Sequence, residues 1–489
     1  MKICKRIQNC ILLVTVSCFL SACMGESVEV KENIFTMDQA AKERESMLEE
    51  ASLDYEIPET LPSILVSLGG YETGKDKVAV LSAQTLPAAF EVKNFFTGEM
   101  VYKGNVRRKD TVEEDGLSTG IADFSELDTE GFYYIETEIL GKSKGFPIAA
   151  GVYESLLSES YQRLHNLRCD GCHEEPVDFE NSALGSLDVK GGWHTNISGE
   201  KDVVEGCLAV LDICTSYDYY SNSYTDDYGA EDSGNKIPDI LDEAAYEVNW
   251  LLLMQNPETG GVYTSVSLDQ NGQKLVVRGE TTKATAYFCT CMAKFSQTIK
   301  KFDAKLSAKA ISAAGLSWKC LEANRDIVTA DQMYRAAAEL YKVTGQETYR
   351  KVVSDYLKDN AGNPYEGRLT MDGAITYLST ARNTNVDYCT KLMSTFVTLV
   401  EKKASTAKES RFLVYDTEEE TEDILRDACE FAIVDYINTS DEYVSESMDF
   451  VDYICGRNAL SKNYFNDINT PDALAKMISV TARIKASGK

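Results

Sequence analysis

Apolar and polar positions alternate with a period of two through residues 64–150, and after Gly151 the period lengthens to that of a helix. The stretches KVAVLSA, AFEVKNF, EMVYKGNV and GFYYIETEIL are rich in β-branched and aromatic residues, which predicts strands, and Phe96-Thr97-Gly98-Glu99 is a hairpin turn signal. Strands of this kind over residues 63–150 predict a β-sandwich. Beyond them, amphipathic segments begin near Tyr153, Lys201, Pro238, Thr282, Leu306, Ala330, Glu347, Met371, Asp387, Glu420, Glu442 and Pro471. An even number of helices of similar length across 151–489 fits a closed ring of helical hairpins, although periodicity alone gives helices and not the ring.

The N-terminus follows a different logic. Lys2, Lys5 and Arg6 precede an apolar run over residues 10–20 that is too short to span a bilayer. Leu20-Ser21-Ala22-Cys23 then resembles the lipobox of bacterial lipoproteins, which implies a signal over residues 1–22 and lipidation of Cys23. An ordinary signal peptide is the competing reading. A lipid anchor of more than one chain holds a protein to a membrane without a transmembrane helix. The expected location is therefore the bacterial cell envelope, lipid-anchored and extracytoplasmic. Residues 23–62 read as an acidic stalk, with a helix capped by Thr36 over MDQAAKERESMLEEA.

Charge narrows the partners. The chain carries a formal net charge of −29, and removing the signal takes away three positive residues. So acidic a surface repels nucleic acid and admits a neutral polymer. Of the 14 cysteines, Cys4, Cys10 and Cys18 leave with the signal. Those that remain lack the spacing of a disulfide framework, and most read as buried thiols.

The order of motifs is more specific. ILVSLGGY, FEVKNFFTGEMVYKG and IADFSELDTEGFYYIE are followed by YESLLSESYQRLHNLRC, GGWH, DSGNKIPDILDEAAYEVNWLLLMQ, GGVY, AAAELYKVTG and YICGRNAL. This series resembles glycoside hydrolase family 9 with an N-terminal immunoglobulin-like domain, over nearly everything from residue 64 to 460. The resemblance implies a multidomain fold, an immunoglobulin-like β-sandwich followed by an all-α (α/α)6 barrel at 151–489. It also implies inverting hydrolysis of β-1,4-glucan.

Inversion needs a carboxylic acid on one side of the scissile bond and a carboxylate that activates water on the other. In the family the base lies in a Trp-His-Asp-Ala-Gly-Asp motif. Ungapped, its two aspartates fall on Thr195 and Ser198, and the family's acidic glutamate falls on Asn463. The His-His-Arg stretch that follows Gly-Arg-Asn in the family is missing too. A hydroxyl does not replace a carboxylate as general base near neutral pH. The expectation is a pseudoenzyme that binds a β-glucan-class polysaccharide through Trp193, His194, Tyr219, Tyr220 and Tyr263. Two alternatives stand beside it. One is an active endo-β-1,4-glucanase with relocated carboxylates, for which Glu200, Asp202 and Asp467 are the fallback candidates. The other is a non-sugar envelope scaffold.

No cofactor is required by either sugar reading. Cys169, Cys172 and His173 have zinc-ligating chemistry, with His165 or Asp188 as a fourth donor. The resemblance implies a structural zinc in this region, while a disulfide or two free thiols remain open. Asp239, Asp242 and Glu243 read as capping and bracing the helix that starts at Pro238.

Overall fold

The computed structural model describes residues 61–112, 115–169, 171, 175–362, 367–414 and 421–487. The chain divides into units Met1–Pro58 and Glu59–Lys489, and every described residue lies in the second. The signal, Cys23 and nearly all of the stalk lie outside the described residues.

The alternating stretches form strands β1 (Ile64–Leu65), β2 (Tyr71–Glu72), β3 (Val78–Ala83), β4 (Ala89–Asn94), β5 (Met100–Val112), β6 (Ser118–Asp123), β7 (Gly131–Thr137), β8 (Gly141–Lys142) and β9 (Phe146–Ala149). Their order is β1-β3-β6-β5-β4-β7-β9-β2, with β8 on β7. The long β5 pairs with β4 through its first half and with β6 through its second, so it passes from one sheet to the other. Phe90, Val92, Leu81, Phe124, Ile135, Phe146 and Ile148 fill the space between the sheets. These are the inward members of each alternation.

Gly151, at φ 73°, ends the strands and opens the helices. The first six are α1 (Val152–His165), α2 (Val203–Tyr220), α3 (Asp239–Leu253), α4 (Thr282–Ile299), α5 (Ala304–Ala323) and α6 (Ala330–Thr344). The next six are α7 (Glu347–Asn360), α8 (Arg368–Leu378), α9 (Val386–Glu409), α10 (Thr421–Asn438), α11 (Val444–Ile454) and α12 (Pro471–Ala486). The inner helices pack in the order α12, α2, α4, α6, α8, while α9 touches both α8 and α10, and α10 packs on α12. Twelve helices in six hairpins, among the described residues, make the arrangement of an (α/α)6 barrel.

The starts follow local chemistry. Asp202, Thr281, Thr329 and Thr470 accept backbone N–H groups at the heads of α2, α4, α6 and α12. The helix expected from Lys201 begins two residues later, because Lys201 and Asp202 pair with Val266 and Ser265 as a short strand. Those expected from Leu306 and Met371 begin at Ala304 and Arg368, where Asp303 and Gly367 are the caps.

The Gly-Arg-Asn motif joins the sandwich to the barrel. Arg457 is fully buried, donates to the carbonyls of Asp449 in α11 and Val78 in β3, and lies 2.7 Å from the Asp449 carboxylate. Asn458 clasps the loop by donating to the carbonyls of Tyr453 and Lys462. Removing one partner of a buried charge pair leaves the other uncompensated, at a cost of about 3–5 kcal/mol. Arg457→Ala is therefore expected to lower the denaturation midpoint sharply, with little change from Arg350→Ala, whose pair with Glu347 is exposed.

Candidate active site

The Gly-Gly-Trp-His loop is held from below by one face of α3. Asp239, Glu243 and Glu247 are buried and spaced four apart. Asp239 accepts from the Tyr228 N–H and the Ser233 hydroxyl. Glu243 accepts from His165, Arg168 and the Trp193 indole N–H at 2.7 Å. Glu247 accepts the Trp193 backbone N–H at 2.7 Å, and burial pushes its carboxyl up to about 8. The loop needs its glycines: Gly191 and Gly192 have φ of 81° and 76°, and a Cβ at Gly192 would lie 2.6 Å from the Trp250 ring. Lys201, fully buried, donates to the carbonyls of Val189 and Gly191.

This packing corrects two sequence expectations. Trp193 is 1% exposed with its N–H bonded inward, so it is a core residue and not a sugar platform. Tyr219 and Tyr220 lie at the C-terminal end of α2, about 25 Å along the helix from Asp202 at its head. Tyr219 stacks on Tyr436 at 3.8 Å, and Tyr220 donates to the Ala432 carbonyl. They belong to the opposite end of the barrel from the Trp193 loop. His194 and Tyr263 do stay near the head of α2: His194 donates its backbone N–H to Leu167, and the Tyr263 ring meets Phe179 edge-on at 4.8 Å.

The loop then closes on itself. Thr195 donates both its N–H, at 2.8 Å, and its hydroxyl to the Glu200 carbonyl. Ser198 is exposed, and its N–H meets the Asn196 side chain. The fallback carboxylates are all engaged. Glu200 accepts from the Leu268 N–H and the Asn196 amide, bonds that hold its carboxyl below the usual range. Asp202 caps α2, accepting from Val204 and Glu205, and Asp467 pairs with Lys462 at 2.7 Å. Asn463 precedes a short 3-10 turn, and its buried side-chain oxygen receives no hydrogen bond from the described residues.

A second set of ionisable groups, mostly missed by the sequence reading, sits where the heads of α2, α8, α10 and α12 converge. Arg368 grips Asp212 through two bonds of 2.8 and 2.9 Å and reaches Asp472 at 3.3 Å. Lys476 lies 2.5 Å from Asp472, 3.5 Å from Glu422 and 3.6 Å from Asp212. Burial pushes Glu205 up to about 8, reinforced by Asp202 and Asp472. Burial and a hydrogen bond with Asp472 raise Glu422 to about 7. Burial acts on Asp472 in the same sense, but Arg368 and Lys476 outweigh it and hold that carboxyl at about 2. Carboxyls shifted in opposite directions thus share one pocket of charge. The sequence did carry a signal: Asp212 is the one acid within the apolar run CLAVLDIC.

Of the zinc-type residues, Cys169 is buried, and His165 turns its Nδ1 to Glu243, a bond that raises its pKa. Asp188 accepts from the Lys190 N–H. Cys172 and His173 lie outside the described residues. Among the described residues no group of three or more His, Cys, Asp or Glu is set to hold a metal, and no helix is long and apolar enough to cross a membrane.

Comparison with known proteins places this geometry. The model of the cellulase N-terminal Ig-like domain matches residues 59–142, and that of glycosyl hydrolase family 9 matches residues 156–476. Endoglucanase D of Acetivibrio thermocellus is 25% identical over 76% of this chain and 68% of its own length, so the chain spans about two thirds of that relative. A xyloglucan-specific endo-β-1,4-glucanase of Bacteroides ovatus is 23% identical over 82% of this chain and 80% of its own. The fold is that of a metagenome-derived family 9 endoglucanase, with a TM-score of 0.77 at 20% identity over 87% of this chain and 99% of the other. The chain belongs to glycosyl hydrolase family 9.

Proposed function

We propose that this chain binds a β-1,4-glucan or a related neutral glycan, with hydrolysis lost or severely reduced, while a lipid on Cys23 tethers it to the outside of a bacterial membrane. What supports the reading is the side-chain set that the sequence offers at the family's catalytic positions. On the ungapped placement of the family's motifs, Thr195 and Ser198 fall where the aspartates would be and Asn463 where the glutamate would be, and Glu200, Asp202 and Asp467 are each committed to another partner. General acid and base groups contribute roughly 10²–10⁴-fold each. Their joint absence removes most of the rate. The named relatives supply the substrate class: an endoglucanase and a xyloglucan-specific endo-β-1,4-glucanase. A structural zinc at Cys169, Cys172 and His173 belongs to the same reading, and metal analysis of the purified chain tests it; a solved relative at 21% identity is a zinc-binding triple mutant of a family 9 endoglucanase.

The decisive experiment measures release and retention together. Carboxymethylcellulose and xyloglucan are expected to retard the protein in an affinity gel, while reducing ends stay at the level of a protein-free blank. Sustained release sinks the reading.

A further inference from the structure

Three of the four sheet faces of the sandwich are covered. Phe90, Val92, Tyr133 and Ile135 turn inward between the sheets, and on the outside of the β1-β3-β6 sheet Leu65, Val80 and Ile121 join the apolar core of the barrel. The fourth face, the outside of β5, β4 and β7, carries the alternate residues, where an uncovered sheet is expected to be polar. It holds Val101, Phe132 and Tyr134 instead, with Phe95 on the same side just beyond the end of β4. Phe95 meets Phe132 at 4.9 Å and Tyr134 at 6.2 Å. Phe96, 52% exposed on the turn between β4 and β5, leans on Phe132 at 6.2 Å, with Met100 and Val101 exposed beside it.

The turn that presents Phe96 is fixed. The Asn94 side chain accepts the N–H groups of Phe96 and Thr97 at 3.0 Å, the Asn94 carbonyl accepts that of Gly98 at 2.9 Å, and the Thr97 hydroxyl accepts that of Glu99. Charge around the rings is balanced. Lys93 lies 2.6 Å from Glu136 and 3.2 Å from Glu91, Lys103 lies 3.1 Å from Glu91, and Lys142 covers the Tyr134 ring at 4.8 Å. A chain with a formal charge of −29 repels both a second copy of itself and an anionic bilayer. Phe96, Met100 and Val101 are also far fewer than the roughly 20–30 residues a side of a specific protein interface. They suffice for a sugar, whose C–H face packs on an aromatic ring while its hydroxyls meet polar neighbours.

We propose that this face of the immunoglobulin-like domain is a second glycan-binding surface, which takes a neutral polysaccharide with one pyranose ring laid on Phe96 and its hydroxyls bonded by Thr97 and Glu99. The inference rests on the binding reading given above and adds to it a site outside the barrel. Lys144, next to the Gly145 backbone on which Phe132 and Phe95 pack, donates to the Ser461 carbonyl at 2.8 Å. With the packing of Leu65, Val80 and Ile121, that bond holds the face in a fixed position on the barrel. A polymer long enough to touch both sites gains avidity from the second contact, and a short oligomer does not.

Affinity gels with xyloglucan and calorimetry with cellotetraose, both on the intact chain, test the assignment. Phe96→Ala is expected to weaken retention by xyloglucan by about fivefold or more, while its affinity for cellotetraose stays within about twofold of the parent. Phe96→Tyr keeps the ring and is expected to behave as the parent, and the melting temperature is expected to hold in both variants because the side chain stands half in solvent. Equal retention of the parent and Phe96→Ala overturns the second surface while leaving the binding reading intact. A parent that is neither retarded by xyloglucan nor titrated by cellotetraose overturns both. Equal losses of xyloglucan and cellotetraose affinity in Phe96→Ala overturn a site separate from the barrel. A parent that dimerises in sedimentation velocity and a monomeric Phe96→Ala with unchanged retention give the face to a second copy of the chain and overturn the glycan.

Discussion

The triple variant Thr195→Asp, Ser198→Asp, Asn463→Glu is expected to release reducing ends from carboxymethylcellulose at a rate at least about 10³-fold above the parent chain, whereas Thr195→Asp alone stays at the blank. The asymmetry follows from inversion. Water attacks only as the leaving oxygen is protonated, so a base without an acid gains little. The local environments suit the restored groups. Thr195 is half-buried and Ser198 exposed, so carboxylates there keep their hydration and stay ionised. Asn463 carries a buried side-chain oxygen without a donor among the described residues, and a carboxyl in such a setting is driven toward its protonated form, as a general acid requires. The loop that would carry the base is already fixed by Trp193 on Glu243 and Glu247 and by Thr195 on the Glu200 carbonyl. A folded triple variant that retains glycan but releases nothing would mean that the cleft itself has changed shape, and that three side chains do not explain the loss.

Much of this architecture could be read from the sequence, for a definable reason. The sandwich strands are exposed on one face and the barrel helices on one stripe, so burial writes a period of two and then 3.6 into the chain. Helix starts were legible within about three residues wherever a Thr or Asp cap preceded an apolar face. Asp239, Asp242 and Glu243 read as capping and bracing α3 itself, but that helix has no side-chain cap, and Asp239 and Glu243 accept from neighbouring segments instead. The buried acids of the GGWH region needed the fold: Glu247 is four residues beyond Glu243, yet only the close approach of Trp193 shows what both are for.

The charged centre of the barrel was legible only in part. Periodicity treats a charged residue as a surface residue, and α12 breaks that assumption. Asp472, Lys476 and Arg483 are all buried, on a helix that is buried along nearly its whole length. They pair with Arg368, Asp212 and Asp435 on three other helices, distances along the chain that no local pattern records. The aromatic run at Tyr219 and Tyr220 misled for the converse reason. Tyrosine content suggested sugar contacts, but an eighteen-residue helix carries those rings to the wrong end of the barrel.

Those buried acids set a pH dependence that runs opposite to that of most proteins held together by ionised carboxylates. Melting temperature is expected to be highest near pH 5 and to fall by about 5 °C or more by pH 8. Glu205 and Glu247 titrate at about 8 in the folded chain, Glu422, Glu430 and Asp452 at about 7, and Asp242 at about 6, in each case because burial disfavours the charged form. In the unfolded chain these groups release their protons near pH 4, so between there and pH 8 the folded state binds more protons. Stability then declines as pH rises through the folded values. His165, raised by its hydrogen bond to Glu243, adds to the decline in the same sense. Asp472 and Glu339, held at about 2 where nearby cations outweigh burial, act in the opposite sense: their contribution is complete above the unfolded value and is lost as the solution is acidified toward pH 2. The optimum lies between the two groups. Glu205→Gln isolates one contributor, since it keeps the side-chain shape and removes the ionisation. Its melting temperature is expected to match the parent at pH 5 and exceed it at pH 8. A parent that melts at the same temperature across this interval, or higher at pH 8, would show that the barrel head admits enough water to ionise these acids freely.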